Sequence, residues 1–266
     1  MVKMKGMMKR FNITGSCNPE RHYMVDTAER FAAVEKMIDM GDYFTINRAR
    51  QYGKTTTLDM IWRHLSDRYM VVPLSFEGLD DGAYESHKAF VTAFMKQMAR
   101  QIMDMGQDEC LAKIWHDESV QSLDDLSILI TTFCNACPKP VVVTIDEVDK
   151  SSDNQLFLNF LGMLRNKYLE RNRKGMKSTF HSVILAGVYD VKNLKLKLRP
   201  DAEKKYNSPW NIAADFNVDM TFHPDEIAQM LGDYEADHHT GMDINAISKE
   251  IYKYTTGKPG KPSAEG

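Results

Sequence analysis

The sequence predicts an α/β protein built on a parallel β-sheet, and three observations support this. Short apolar runs typical of buried strands alternate with longer segments whose apolar residues recur at helical spacing. Gly53-Lys54-Thr55 stands between one such strand and the helix that follows it. Two acidic residues, Asp146 and Glu147, end a second strand. This alternation favours a mostly parallel sheet with helices on its faces.

The length, net charge and apolar content of the chain limit the functional classes to which the protein can belong. The chain has 266 residues, enough for one large domain with a sizeable core. Its formal net charge of −3 gives no general basic field, so composition does not indicate a nucleic-acid-binding protein. No apolar run reaches membrane-spanning length, and the basic first ten residues lack the apolar stretch of a secretory signal. These features predict a protein without a membrane partner.

The four cysteines fit a reduced, cytoplasmic setting. Cys134 and Cys137 form an isolated pair with two residues between them. A zinc site requires a second pair at similar spacing, which the sequence lacks. Core or surface thiols are therefore the favoured interpretation.

The first helix and strand lead into the Gly-Lys-Thr segment. Thr27 is a suitable N-cap for a helix over residues 28–40, which Gly41 ends. Residues 43–46 are β-branched or aromatic and predict a strand, whereas 56–66 have helical apolar spacing. Strand, loop and helix in this order form the context that a phosphate-binding loop requires.

The residue types explain the chemistry of such a loop. Backbone N–H groups at a helix N-terminus bind phosphate, and the helix dipole favours negative charge there. Lys54 would contact the β- and γ-phosphates, and the Thr55 hydroxyl would ligate Mg²⁺. The common pattern has glycine five positions before Gly53, where this chain has Arg48. The alternative is a helix that merely begins with Gly-Lys-Thr.

The remaining elements follow from their apolar patterns. Ser122 is expected to cap a helix that ends near Cys137. Phe157, Leu161 and Leu164 mark another helix. The other predicted elements are strands at 70–76, 141–145, 182–186 and 218–222, and helices at 86–105, 224–237 and 244–254.

Asp146 and Glu147 complete the candidate site. The carboxyl end of a buried parallel strand is where α/β proteins bind ligands. Asp146 can hold the Mg²⁺ of a bound nucleotide, and Glu147 can orient and deprotonate the attacking water. Taken alone, the pair fits equally well as solvated residues at the start of a loop.

Four segments carry a family resemblance: GSCNPERHYMVD, YFTINRARQYGKTTTL, VVVTIDEVDK and SVILAGVYDVKNLK. Over residues 9–257 the chain resembles the AAA-ATPase-like family of bacterial P-loop ATPases. The resemblance implies a three-layer P-loop NTPase sandwich of the additional-strand, catalytic-glutamate class, followed by the start of a helical lid. Members commonly continue into a nuclease-like domain of the PD-(D/E)XK type.

The resemblance also implies roles for individual residues. Gly53, Lys54 and Thr55 match the phosphate and Mg²⁺ ligands, Asp146 the Walker B aspartate, and Glu147 the catalytic glutamate. The Tyr23-Met24 element precedes the first helix, where related ATPases wrap the adenine; the alternative is an arm packed on the sheet edge. Further nucleotide contacts are expected at Arg48, Arg50, Gln51, Tyr52 and Thr56.

Two departures from the family pattern stand out. The sensor position reads Tyr189-Asp190, and neither residue is a firm match. Residues 208–213 occupy the place where some relatives have an arginine near the γ-phosphate, yet no arginine follows Arg199. The resemblance therefore implies an arginine from a second subunit of a homo-oligomer or from a C-terminal effector domain.

The predicted organisation is an arm (1–26), an ATPase core (27–222), a lid segment (223–256) and a disordered tail (257–266) that resembles the end of a fragment. Two functions are consistent with this predicted organisation. One is Mg²⁺-dependent ATP binding and hydrolysis that regulates an attached effector. The other is a nucleotide-stabilised module that binds a protein or nucleic acid with negligible turnover. The basic segment 190–205 fits either phosphate contacts or a solvated loop.

Overall fold

A computed structural model describes residues 9–12, 16–47, 53–106, 109–148, 154–188 and 210–257. The chain divides into two compact units. The sheet unit comprises residues 35–49 and 60–217, and the arm unit comprises residues 1–34, 50–59 and 218–266.

The sheet unit is built on four parallel strands in the order β1-β4-β3-β2. β4 therefore lies between β1, which leads toward Gly53-Lys54-Thr55, and β3, which ends at Asp146. This is the additional-strand arrangement that the family resemblance implied. The strands are β1 (Tyr43–Asn47), β2 (Met70–Ser75), β3 (Val141–Asp146) and β4 (Ser182–Gly187).

The predicted helices are also present, with bounds that differ by one or two residues at most ends. Ser86 and Ser122 cap their helices, and Ser122 forms a reciprocal capping box with Asp125. The helices are α1 (Ala28–Asp39), α2 (Lys54–Leu65), α3 (His87–Asp104), α4 (Glu109–Lys113), α5 (Leu123–Ala136), α6 (Gln155–Lys174), α7 (Pro224–His238) and α8 (Ile244–Thr255).

Both faces of the sheet are buried, as in the central layer of a three-layer sandwich. Val141, Val143 and Ile145 of β3 pack into the apolar core with residues from α3, α5 and α6. The alternate residues Val142 and Thr144, on the other face, are fully buried as well. Burial on both sides explains why this strand is a continuous apolar run in the sequence.

The arm unit ends in a pair of helices, α7 and α8, which pack against each other. The predicted strand at 218–222 is wrong, because this segment pairs with no strand among the described residues. The Arg30 guanidinium instead donates hydrogen bonds to the carbonyl oxygens of Asp219 and Thr221, each at 2.7 Å. This segment therefore has the residue pattern of a strand, but a side chain rather than a neighbouring strand bonds its carbonyl groups.

The cysteine pair lies in the apolar core. Cys134 and Cys137 are both buried, and burial raises the pKa of the Cys137 thiol to about 12. In the part of the chain that the structure describes, no helix is long and apolar enough to cross a membrane.

His181 connects the amino end of β4 to α1. Its ring Nε2 donates to the Ile38 carbonyl at 2.8 Å, and the ring stacks on Tyr69. Burial, reinforced by the nearby Arg171 charge, lowers the pKa of His181 despite the opposing Ile38 bond and Asp39 charge. The folded state therefore favours the neutral imidazole.

We predict that the free energy of unfolding falls as pH decreases below about 6.5, the unfolded pKa of histidine. In that range the unfolded chain takes up a proton that folded His181 resists. His181→Gln keeps a donor for Ile38 but cannot titrate, so its loss of stability between pH 6.5 and 4.5 should be smaller. Denaturant unfolding at several pH values measures both slopes, and parallel curves would contradict the assignment.

Candidate nucleotide site

The phosphate-binding candidate lies at the N-terminus of α2. The helix begins at Lys54, two residues earlier than the sequence predicted, so Lys54 and Thr55 form its first turn. Gly53 precedes it with φ of +72°, a conformation that favours glycine. The Thr57 N–H and hydroxyl both donate to the Gly53 carbonyl, at 2.8 and 2.9 Å. The positive end of the helix dipole therefore lies at Gly53 and Lys54.

The first two side chains of α2 differ in exposure. Lys54 is only 7% exposed, whereas Thr55 is exposed to solvent. A largely buried ammonium is stabilised by anionic partners, and phosphate is such a partner. Both features are compatible with the predicted roles.

The arm of the chain, residues 16–26, contacts the next turn of α2. The Cys17 N–H donates to Thr56 Oγ1 at 3.1 Å, and the Ser16 hydroxyl donates to Asp59. Thr56 was predicted as a nucleotide contact, and the structure shows its hydroxyl bound to the arm. The sequence carries no signal of the contacts made by Ser16, Cys17 and Asp59, because no local pattern connects residues 43 and 39 positions apart.

Asp146 and Glu147 occupy the carboxyl end of β3 in the sheet unit. Asp146 is half-buried and lies opposite Ser75 of β2 in the parallel register. Glu147 adopts a left-handed φ of +54°, and its N–H donates to Asp146 Oδ1 at 2.9 Å. Such a conformation costs on the order of 1–3 kcal/mol for a non-glycine residue and occurs preferentially at functional sites. β3 therefore ends at Asp146, and the chain turns sharply at Glu147.

The donor types at these positions suit a hard cation. Among the described residues, no group of three or more His, Cys, Asp or Glu is arranged to hold a metal ion by itself. Mg²⁺ is usually bound through one or two carboxylates together with substrate phosphates and water, rather than by a protein cage. The half-buried Asp146 carboxylate is an oxygen donor of the kind that such binding uses.

A protein-family comparison matches residues 17–260 to the model of the AAA-like domain. The chain belongs to this family. A search of curated proteins found no match.

Solved structures share the fold of this AAA-like domain. A Walker-type ATPase of Pyrococcus abyssi aligns with a TM-score of 0.60 and 14% identity, over 94% of this chain and 68% of its own. The ORC2 protein of Aeropyrum pernix, solved as ADPNP–ADP complexes, aligns with a TM-score of 0.52 and 13% identity. That alignment covers 94% of this chain and 60% of the ORC2 chain. At such identities the comparison establishes the P-loop ATPase fold alone.

Tyr23 of the AAA-like domain is 3% exposed and packs on α7. Its hydroxyl donates to Asp237 Oδ2 at 2.8 Å, and its ring contacts those of Phe11 and Tyr234. Burial and the Asp237 bond raise the pKa of Tyr23 to about 12. Base contacts at Tyr23 and Met24 stay a prediction, and the half-buried Met24 is the more accessible of the two.

Several predicted site residues lie outside the described part of the AAA-like domain. In the region where relatives carry an arginine, Trp210 is fully buried and its indole donates to Thr45 Oγ1 at 3.1 Å. This position therefore packs against β1. The predicted site residues outside the described ranges are Arg48, Arg50, Gln51, Tyr52, Tyr189, Asp190 and Arg199. The basic segment 190–205 also lies outside them, as does the predicted tail 257–266 except for residue 257.

Proposed function

We propose that this AAA-like domain binds Mg²⁺-ATP and hydrolyses it to regulate an attached or partner effector. The observation that carries the proposal is the start of α2. A glycine with positive φ is followed at once by a largely buried lysine and an exposed threonine in the first helical turn. This arrangement suits a chain of phosphates, and family membership supports the same reading.

Each residue has a distinct role in the proposed reaction. Lys54 and the helix N–H groups bind the phosphate oxygens, and Thr55 and Asp146 serve as the protein ligands of Mg²⁺. The bound ion would neutralise phosphate charge. Glu147 accepts a proton from the water whose oxygen bonds to the γ-phosphorus, while the bond to the ADP oxygen breaks. The products are ADP and inorganic phosphate.

A binding module with negligible turnover is the second candidate. It is favoured by the absence of any arginine after Arg199, since an arginine near the γ-phosphate commonly accelerates phosphoryl transfer. A homo-oligomer or an effector domain that supplies this arginine would restore the first candidate. Steady-state phosphate release, measured with and without DNA or RNA, distinguishes turnover from binding alone.

We predict that Lys54→Ala weakens Mg²⁺-ATP binding by roughly tenfold to a hundredfold. The lysine would make charge-assisted hydrogen bonds worth on the order of 1.5–3 kcal/mol. Isothermal titration calorimetry of wild type and variant measures the loss. Lys96→Ala, which removes an exposed lysine from α3, is the matched control. Equal affinity of wild type and Lys54→Ala would refute the phosphate-site assignment.

A further inference from the structure

The arm is attached to α2 at one end. The Cys17 N–H donates to Thr56, which directly follows the phosphate-binding candidates, and the Ser16 hydroxyl donates to Asp59, about one turn further along α2. All of these residues belong to the arm unit. A ligand that orders the first turn of α2 therefore acts on a segment to which the arm is already bonded.

The other end of the arm is attached to α7, also in the arm unit. The Tyr23 hydroxyl donates to Asp237, and the Tyr23 ring lies 5.4 Å from Tyr234, edge to face. Tyr234 in turn stacks on His238 with ring centroids 4.2 Å apart. This aromatic cluster buries Tyr23 on the last turns of α7, so the packing of these turns depends on where the arm lies.

Between its two attachments the arm is held by its own hydrogen bonds. The His22 N–H donates to the Asn18 carbonyl at 2.8 Å, and the Asn18 N–H donates to His22 Nδ1 at 2.9 Å. The Tyr23 N–H also donates to the Arg10 carbonyl at 3.1 Å. The arm therefore has internal hydrogen bonds between its attachments to α2 and α7.

We propose that Ser16 and Asp237 are positioning residues that couple the phosphate site on α2 to the packing of α7 through the arm. Ser16 fixes the arm to α2, and Asp237 fixes it to α7. Binding at Lys54 and Thr55 then stabilises the last turns of α7, and by linkage the Tyr23–Asp237 contact raises affinity for the ligand. This inference rests on the proposed nucleotide binding.

Hydrogen exchange with Mg²⁺-ATP as the probe tests the coupling. In wild type, saturating nucleotide should slow amide exchange in residues 233–238 about fivefold or more, the lower range of allosteric coupling. Ser16→Ala and Asp237→Ala should reduce this change to within twofold. Asp233→Ala removes the same charge from an exposed site one turn earlier on α7 and should respond like wild type. Ser16→Thr keeps a hydroxyl and should restore the effect.

The readout is the ratio of exchange rates with and without nucleotide, which a merely structural role would leave unchanged. Lys54-dependent binding without any slowing in α7 would overturn the coupling and leave the proposed function intact. The same holds if Ser16→Ala responds like wild type. Absence of nucleotide binding in wild type by calorimetry would instead overturn both proposals.

Discussion

Glu147→Gln is expected to slow ATP hydrolysis by about 10²–10⁴-fold while leaving ATP affinity nearly unchanged. Glutamine keeps the shape of the side chain and can still contact the water, but it cannot accept the proton. The left-handed backbone at this position is equally accessible to both residues, so the turn after β3 should persist. Single-turnover phosphate release, with binding measured separately by calorimetry, gives the two quantities.

Asp146→Asn provides the contrast at the neighbouring position. Asp146 is assigned to Mg²⁺, so the neutral amide of Asn should reduce the dependence of ATP affinity on Mg²⁺ concentration.

A Glu147→Gln protein that turns over at the wild-type rate would assign proton acceptance to another residue, or to none.

The second large effect concerns the arginine expected near the γ-phosphate, which the sequence analysis could not assign to a residue of this chain. An arginine at the γ-phosphate is worth roughly 10³–10⁵ in rate for related phosphoryl transfers. We therefore predict that residues 1–266 alone bind ATP but hydrolyse it slowly. Specific activity should rise with protein concentration if a second copy supplies the arginine. Exposed candidates in the described residues are Arg10, Arg21, Arg63, Arg68, Arg100 and Arg173.

A dilution series with parallel measurement of molecular mass tests this prediction. Activity that increases along with an oligomeric species supports an arginine from a neighbouring subunit, and alanine variants of the exposed arginines would then locate it. Fast hydrolysis by a monomer, with specific activity constant across dilution, would show that the chain already holds a complete site.

The sequence determined those parts of the fold that local physical chemistry controls. Ser122 was recognised as a helix cap because a capping box involves residues only three positions apart. Val141 to Ile145 was recognised as a buried strand because a parallel strand covered on both faces has no polar alternation. The helix after Gly53 was also recognised, because glycine and helical periodicity act over a few residues, although its first turn already contains Lys54 and Thr55.

The tertiary structure alone decided the features that depend on distant partners. Residues 218–222 have a strand pattern in the sequence, but the guanidinium of Arg30 donates to the carbonyls of Asp219 and Thr221, which lie 189 and 191 positions later. Tyr23 bonds Asp237 across 214 positions, and Ser16 bonds Asp59 across 43. Hydrogen-bond partners that far apart are chosen by the whole packing arrangement, so residue types nearby in the chain carry no signal of them.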